Sequence, residues 1–187
     1  MPLATSLNPL IHELSNADQE VLQQDEVIVL GGEGNYAVWV LVSAETRTVW
    51  DVLTAYEQFP NFLPSVITSR ILERGDGRVL VERKDRRKIG WMPITVKIVT
   101  ENIEVNQERI DYRMVEGTLD EMEGSWRLTA VDTEVNQPTT LLVQTIAAKA
   151  NMGPLQNYFY EVFEQGLVET ITELRTEMER RAHMALV

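Results

Sequence analysis

The sequence predicts an α+β fold in which one strongly twisted antiparallel sheet of seven strands curls around a long C-terminal helix. Three observations carry that prediction. From residue 66 to about residue 149 the apolar residues recur at every second position, with turn residues between the runs. The connections between those runs are too short for a crossover helix, so the strands they join must pair antiparallel. Beyond Pro154 the period changes, and Leu155, Phe159, Val162, Phe163, Leu167, Ile171, Leu174 and Met178 recur at helical spacing to about Arg181.

Residues 1–26 read as an acidic helical extension ahead of a main domain over 27–187. Ser15-Asn16-Ala17-Asp18 looks like a helix N-cap with an acid three residues on. Gly31-Gly32-Glu33-Gly34-Asn35 is a turn cluster; a phosphate loop would need a following Lys-Ser/Thr and a helix, and a strand comes next. That first strand is 36–43, rich in β-branched and aromatic residues. Ser43 is placed to cap the next helix, whose apolar face is Val49, Val52, Leu53 and Tyr56. Pro60 disfavours helical geometry at Phe59, so the helix is expected to end or bend there.

The other six strands are predicted at 66–74, 78–85, 94–105, 109–117, 124–132 and 139–149. Gly75-Asp76-Gly77 is a strong hairpin turn; Asn106-Gln107 and Asn136-Gln137-Pro138 are weaker ones. Ile94, Val96 and Ile98 oppose Thr95 and Lys97; Ile110, Tyr112 and Met114 oppose Asp111 and Arg113; Trp126 and Leu128 oppose Ser125 and Arg127. One apolar and one wet face per strand means a sheet covered on one side, and the terminal helix, about 40 Å long at ~1.5 Å per residue, is the cover.

The chain of 187 residues is long enough for a real core, and 44% hydrophobic with 25% charged residues is ordinary for a globular protein. No apolar run approaches the ~20 residues a bilayer span needs. The first basic residue is Arg47, which leaves no positive start for a secretory signal. The absence of cysteine removes disulfides, thiol nucleophiles and thiolate metal sites, and suits a cytoplasmic protein. A net charge of −12 argues against nucleic acid as the main partner. The charge is uneven: six of the 17 basic residues lie within 78–88, where the only acids are Glu82 and Asp85. Arg83, Lys84, Arg86, Arg87 and Lys88 thus suggest transient contact with an anionic membrane surface or RNA. The alternative is the solvated end of a hairpin.

Three stretches, VWDVLTAYEQFPNFLPSV (49–66), VEGTLDEMEGSWRL (115–128) and NMGPLQNYF (151–159), occur in this order. In that order the chain resembles the START/Bet v 1-like (SRPBCC) superfamily, and within it the polyketide cyclase/dehydrase and coenzyme-Q-binding branch, over roughly 27–182. Relatives often have an acid before the tyrosine of the first stretch, where this chain has Ala55. The resemblance implies a helix-grip fold with a hydrophobic tunnel between sheet and terminal helix. It also implies binding of lipids, sterols, quinones or polyketides, with catalysis in a minority of members. It carries over no catalytic residue and calls for no cofactor.

Catalytic groups are scarce. His12 and His183 lie near opposite ends of the chain, which argues against a two-histidine metal site, and no nucleophile elbow is present. Tyr112, Glu116, Glu121 and Glu123 remain as acid/base candidates. Glu116 is a weak catalytic candidate at the rim because it shares the parity of inward-facing Tyr112; the alternative is a strand end in water. The expected ligand-contacting set is Trp91, Met92, Ile94, Ile110, Tyr112, Met114, Trp126, Leu128, Phe159 and Phe163, joined by Phe59, Phe62 and Leu63 from a stiff FPNFLP (59–64) segment across one mouth. The same residues would also serve as core filler. The leading expectation is non-catalytic binding or transport of a lipid, quinone, isoprenoid or polyketide-like molecule. The rivals are a cyclase/dehydratase and a protein- or RNA-contacting module using the 78–88 run.

Overall fold

One sheet of eight strands, not seven, forms the body of the protein in the computed structural model, which describes residues 14–24, 26–89, 92–131 and 137–185. The strands are β1 (Ile28–Gly32), β2 (Asn35–Val42), β3 (Val66–Gly75), β4 (Arg78–Ile89), β5 (Met92–Val105), β6 (Arg109–Gly117), β7 (Glu121–Val131) and β8 (Thr139–Lys149). They pair antiparallel in the order β1-β2-β8-β7-β6-β5-β4-β3. The extra strand comes from the apolar run before Gly31, which the glycines disguise as loop. Glu33 and Gly34 both take positive φ (53° and 87°), the backbone of a two-residue hairpin turn, and β1 folds back on β2. Asp76 and Gly77 make the same turn (49° and 73°) between β3 and β4, as expected.

Four α-helices stand among the described residues: α1 (Asn16–Gln23), α2 (Thr46–Leu53), α3 (Phe59–Phe62) and α4 (Gln156–Met184). Ser15 caps α1 by accepting from the Asp18 N–H at 3.2 Å. Ser43 does not cap α2. Its N–H donates instead to Glu179 Oε1 on α4 at 3.1 Å, and Glu45 stands at the cap position. The expected break at Phe59 is also displaced. The chain leaves α2 at Thr54, passes through a short 3-10 turn at Tyr56–Gln58, and Phe59 is itself helical, with Pro60 in the first turn of α3 where a missing N–H is harmless. At 29 residues α4 is about 43 Å long and includes His183 in its last turn, which is exposed.

The main core lies between the inner sheet face and the helices: Val38, Val40, Val42, Val49, Val52, Leu53, Ile110, Leu142, Ile171, Leu174 and Met178. The outer face is not wet throughout. Leu14, Val21 and Leu22 of the α1 segment cover Ile28, Trp39, Leu41, Val131, Leu141 and Val143. That explains why 36–42 reads as continuously apolar rather than alternating: β2 is buried on both faces. No helix among the described residues is long and apolar enough to cross a membrane.

Candidate functional site

The N-terminal part of α4 does not fill the inner face of the sheet. A cavity of about 200 Å³ remains there. Its blind end is formed by Leu53 of α2 with Tyr56, Phe59 and Leu63 of the following corner, closed by Leu174 and Ile110, all of them buried. At the opposite end the lining is only half-buried: Ile94 and Val96 of β5, Leu119, and Phe159, Val162 and Phe163 of α4. Burial falls steadily in that direction, so the opening lies beside the N-terminal turns of α4. The 59–64 segment is therefore the floor of the cavity and not a flap across its mouth.

Of the predicted set, Phe59, Leu63, Ile94, Ile110, Tyr112, Trp126, Phe159 and Phe163 line this space. Phe62 does not. It points away, edge-on to Phe59 at 5.8 Å and under the Arg181 guanidinium at 5.5 Å. Leu128 is inward but lies in the packed core where α2 crosses β7. Met114 is half-buried outside the lining, its sulfur tucked beside Gly117. Trp91 and the Met92 side chain fall outside the described residues, as do His12 and Asn136.

Glu116 is misplaced by simple alternation. The β5–β6 register pairs Thr100 with Met114 but Val99 with Glu116, so Val115 is an extra residue and the parity reverses after it. Glu116 thereby faces the outer surface, 68% exposed, with an oxygen 3.0 Å from Lys97 Nζ. It has no access to the cavity. Glu121 is likewise exposed and paired with Lys149.

The larger surprise is β4. Its inward residues are Val79, Val81, Arg83, Asp85 and Arg87, which face Asn102, Thr100, Ile98, Val96 and Ile94 across the β5 register. The run read as a solvated hairpin end or membrane-contacting patch thus splits by parity. Lys84, Arg86 and Lys88 are exposed, while Arg83 and Arg87 enter the cavity with Asp85 between them. Asp85 Oδ2 accepts from Arg83 Nη2 at 2.9 Å and lies 3.5 Å from Arg87 Nη2. The Asp85 side chain is 5% exposed. Arg87 reaches across the cavity to α4 and rests beside Gly166. A signal existed for this: Val79 and Val81 set the inner parity, and the charges at 83, 85 and 87 continue it.

Tyr112, Gln144 and Asn102 find hydrogen-bond partners within the protein. Tyr112 Oη donates to the Thr145 carbonyl at 3.2 Å and accepts from Gln144 Nε2 at 3.0 Å. Burial holds the Tyr112 phenol well above its ordinary pKa, so it stays protonated. Asn102 Nδ2 donates to the Val79 carbonyl at 3.2 Å. Arg83 Nε and Asp85 Oδ1 differ: both are buried and neither has a hydrogen-bond partner. No cluster of three or more histidine, aspartate or glutamate side chains poised for a metal occurs among the described residues.

Comparison with known proteins agrees with this architecture. Residues 42–178 match the family described as polyketide cyclase / dehydrase and lipid transport. Among solved structures, the fold is similar to the Zhui aromatase/cyclase from Streptomyces sp. R1128 (TM-score 0.62, 20% identity, covering 83% of this chain and 96% of that one). It is also similar to a START superfamily protein from Mycobacterium smegmatis (0.56, 16%, 80% and 97%). A third similar fold is the STAR-related lipid transfer protein fragment from Xanthomonas axonopodis (0.56, 18%, 81% and 92%). At these identities the likeness is one of fold. No curated protein matches the sequence closely enough to count as a relative.

Proposed function

Because the chain belongs to the polyketide cyclase/dehydrase and lipid transport family, we propose that it binds and carries a small hydrophobic molecule between sheet and α4 without transforming it. The supporting observation is the cavity itself: about 200 Å³, blind at one end, with apolar side chains on most of its wall. For scale, a dry cavity of ~150 Å³ accepts benzene, whereas drug-sized ligands occupy ~300–1,000 Å³. The cargo, or the part of it held inside, is therefore a one- or two-ring body or a short acyl or isoprenoid chain. A cytoplasmic carrier suits the cysteine-free composition.

The magnitude of apolar burial limits this reading usefully. A body filling such a space presents roughly 300 Å² of surface, worth about 7 kcal/mol at ~25 cal/mol/Å². Association costs at least about 4 kcal/mol, which leaves a dissociation constant in the millimolar range. Greasy contact alone makes a poor carrier here, and a polar anchor is needed.

A cyclase or dehydratase is the rival reading, and it needs an inward group that can take a proton. Glu116 and Glu121 face solvent, Tyr112 is held protonated, and Asp85 is engaged by two guanidinium groups. A surface module built on the 78–88 run loses two of its six cations, Arg83 and Arg87, to the cavity. The test is native mass spectrometry of protein purified from its own source, followed by displacement of a fluorescent hydrophobic probe. A co-purified apolar molecule that the probe displaces supports a carrier; a protein that arrives empty and takes up no probe overturns it.

A further inference from the structure

The inward stripe of β4 is an unusual thing to bury. Arg83, Asp85 and Arg87 bring two positive charges and one negative into a space whose neighbouring strand offers Ile94, Val96 and Ile98. Asp85 neutralises one guanidinium, so the cluster carries a net charge of +1 by count. Glu173 on α4, half-buried, also acts electrostatically on Arg87 from outside the stripe. A buried charge is tolerated when it is paired and hydrogen-bonded. Here Arg83 Nε and Asp85 Oδ1 have no partner, whereas Tyr112, Gln144 and Asn102 form hydrogen bonds within the protein. The unmet donor and the excess charge are thus at the same place, between blind end and mouth.

We propose that the cavity selects an amphiphilic carboxylate: the Arg83–Asp85–Arg87 stripe holds its head and the apolar walls hold its one- or two-ring or short-chain body. The inference rests on the carrier reading and adds the chemical class of the cargo. A guanidinium presents a planar fork of N–H donors that matches a carboxylate, and such charge-assisted bonds are stronger than neutral ones. Asp85 has two roles. It fixes both guanidinium groups through one oxygen, and it keeps the net charge low enough for a monoanion to complete it. Arg87 approaches α4 at Gly166, where the helix presents no side chain, so the head can reach it past the helix.

The experiment compares ligands that share one body. Protein stripped of co-purified molecules is titrated calorimetrically with 2-naphthoate, 2-naphthylmethanol and 2-naphthyl phosphate at neutral pH. The expected result is that naphthoate binds tenfold or more tightly than the alcohol. Substituting Arg83→Met or Arg87→Met should then collapse the naphthoate-to-alcohol ratio toward one. Equal binding of naphthoate and alcohol to the unmodified protein overturns the carboxylate assignment while leaving the carrier reading intact. A phosphate that binds more tightly than naphthoate overturns the choice of carboxylate. Failure of all three to bind overturns the carrier reading as well. The unmodified protein decides between these outcomes even where an arginine variant does not fold.

Discussion

Gly124 shows how tightly single positions on the inner sheet are set. A Cβ there would come within 2.1 Å of the Thr145 carbonyl oxygen and 2.6 Å of the Tyr112 hydroxyl. Backbone cannot yield cheaply, so Gly124→Ala is expected to destabilise the protein by about 2–3 kcal/mol and to break the Tyr112–Thr145 bond. Chemical denaturation of the variant checks this. Gly166 contrasts with it. An added Cβ would sit 3.6 Å from Arg87 Cζ, in ordinary contact, and alanine is the better helix former. Gly166→Ala should therefore raise stability by up to about 1 kcal/mol, whereas Gly166→Leu would displace the arginine. Glu116→Gln should change neither stability nor ligand uptake measurably, because it removes one solvent-exposed ion pair. At this scale the sequence was readable only while alternation held. One extra residue at Val115 turned Glu116 from an inward candidate into an outward one, and nothing in the residue types marks that bulge.

Among the elements, α4 carries most of the architecture, and its two ends do different work. The N-terminal turns give Phe159, Val162 and Phe163 to the cavity, while the C-terminal turns are clamped to the corner after α2. Hydrogen bonds from Arg180, and then from Arg181, hold the Glu177 carboxyl at about 2, against buried surroundings that push the other way. Arg181 also donates to Gln58 Oε1 at 3.0 Å and covers Phe62. Because the folded pKa lies below the ordinary 4.5, this clamp contributes fully above about pH 4.5 and is lost as pH falls through about 2. The contribution is at most about 3 kcal/mol. Melting curves between pH 6 and 2 should show Glu177→Gln converging on the unmodified protein at the acid end. Phe62→Ala should lower the melting temperature with probe uptake intact, and Phe163→Ala should weaken uptake far more than stability. The long helix and the six later strands were legible because each spans several periods of its pattern. β1 was not, since two glycines make up the end of a five-residue strand whose formation depends on β2 as partner.

For the molecule as a whole, ligand binding and stability are linked. A ligand present at 100 times its dissociation constant adds about 2.7 kcal/mol, which for a domain this size raises the melting temperature by roughly 5–10 °C. Thermal shift with naphthoate is expected to reach that range, and the alcohol at equal concentration to fall short of it. The curled sheet, its helical filler and the aromatic lining could be read from periodicity and residue type. The polar heart of the cavity could not, because a charged run ordinarily lies in water. Only the parity shared with Val79 and Val81 places Arg83, Asp85 and Arg87 inside, and for Arg87 it applies only because the strand runs on past the expected end at Asp85 to Ile89.

The corner of Tyr56, Phe59 and Leu63 seals one end of the chamber, so the protein is a cup and not a pipe. On the proposed carrier function, a cargo would have to back out through the rim by which it came in. Donor and recipient of such a cargo would then have to meet the same face of the protein in turn, never both at once, each delivery a separate visit.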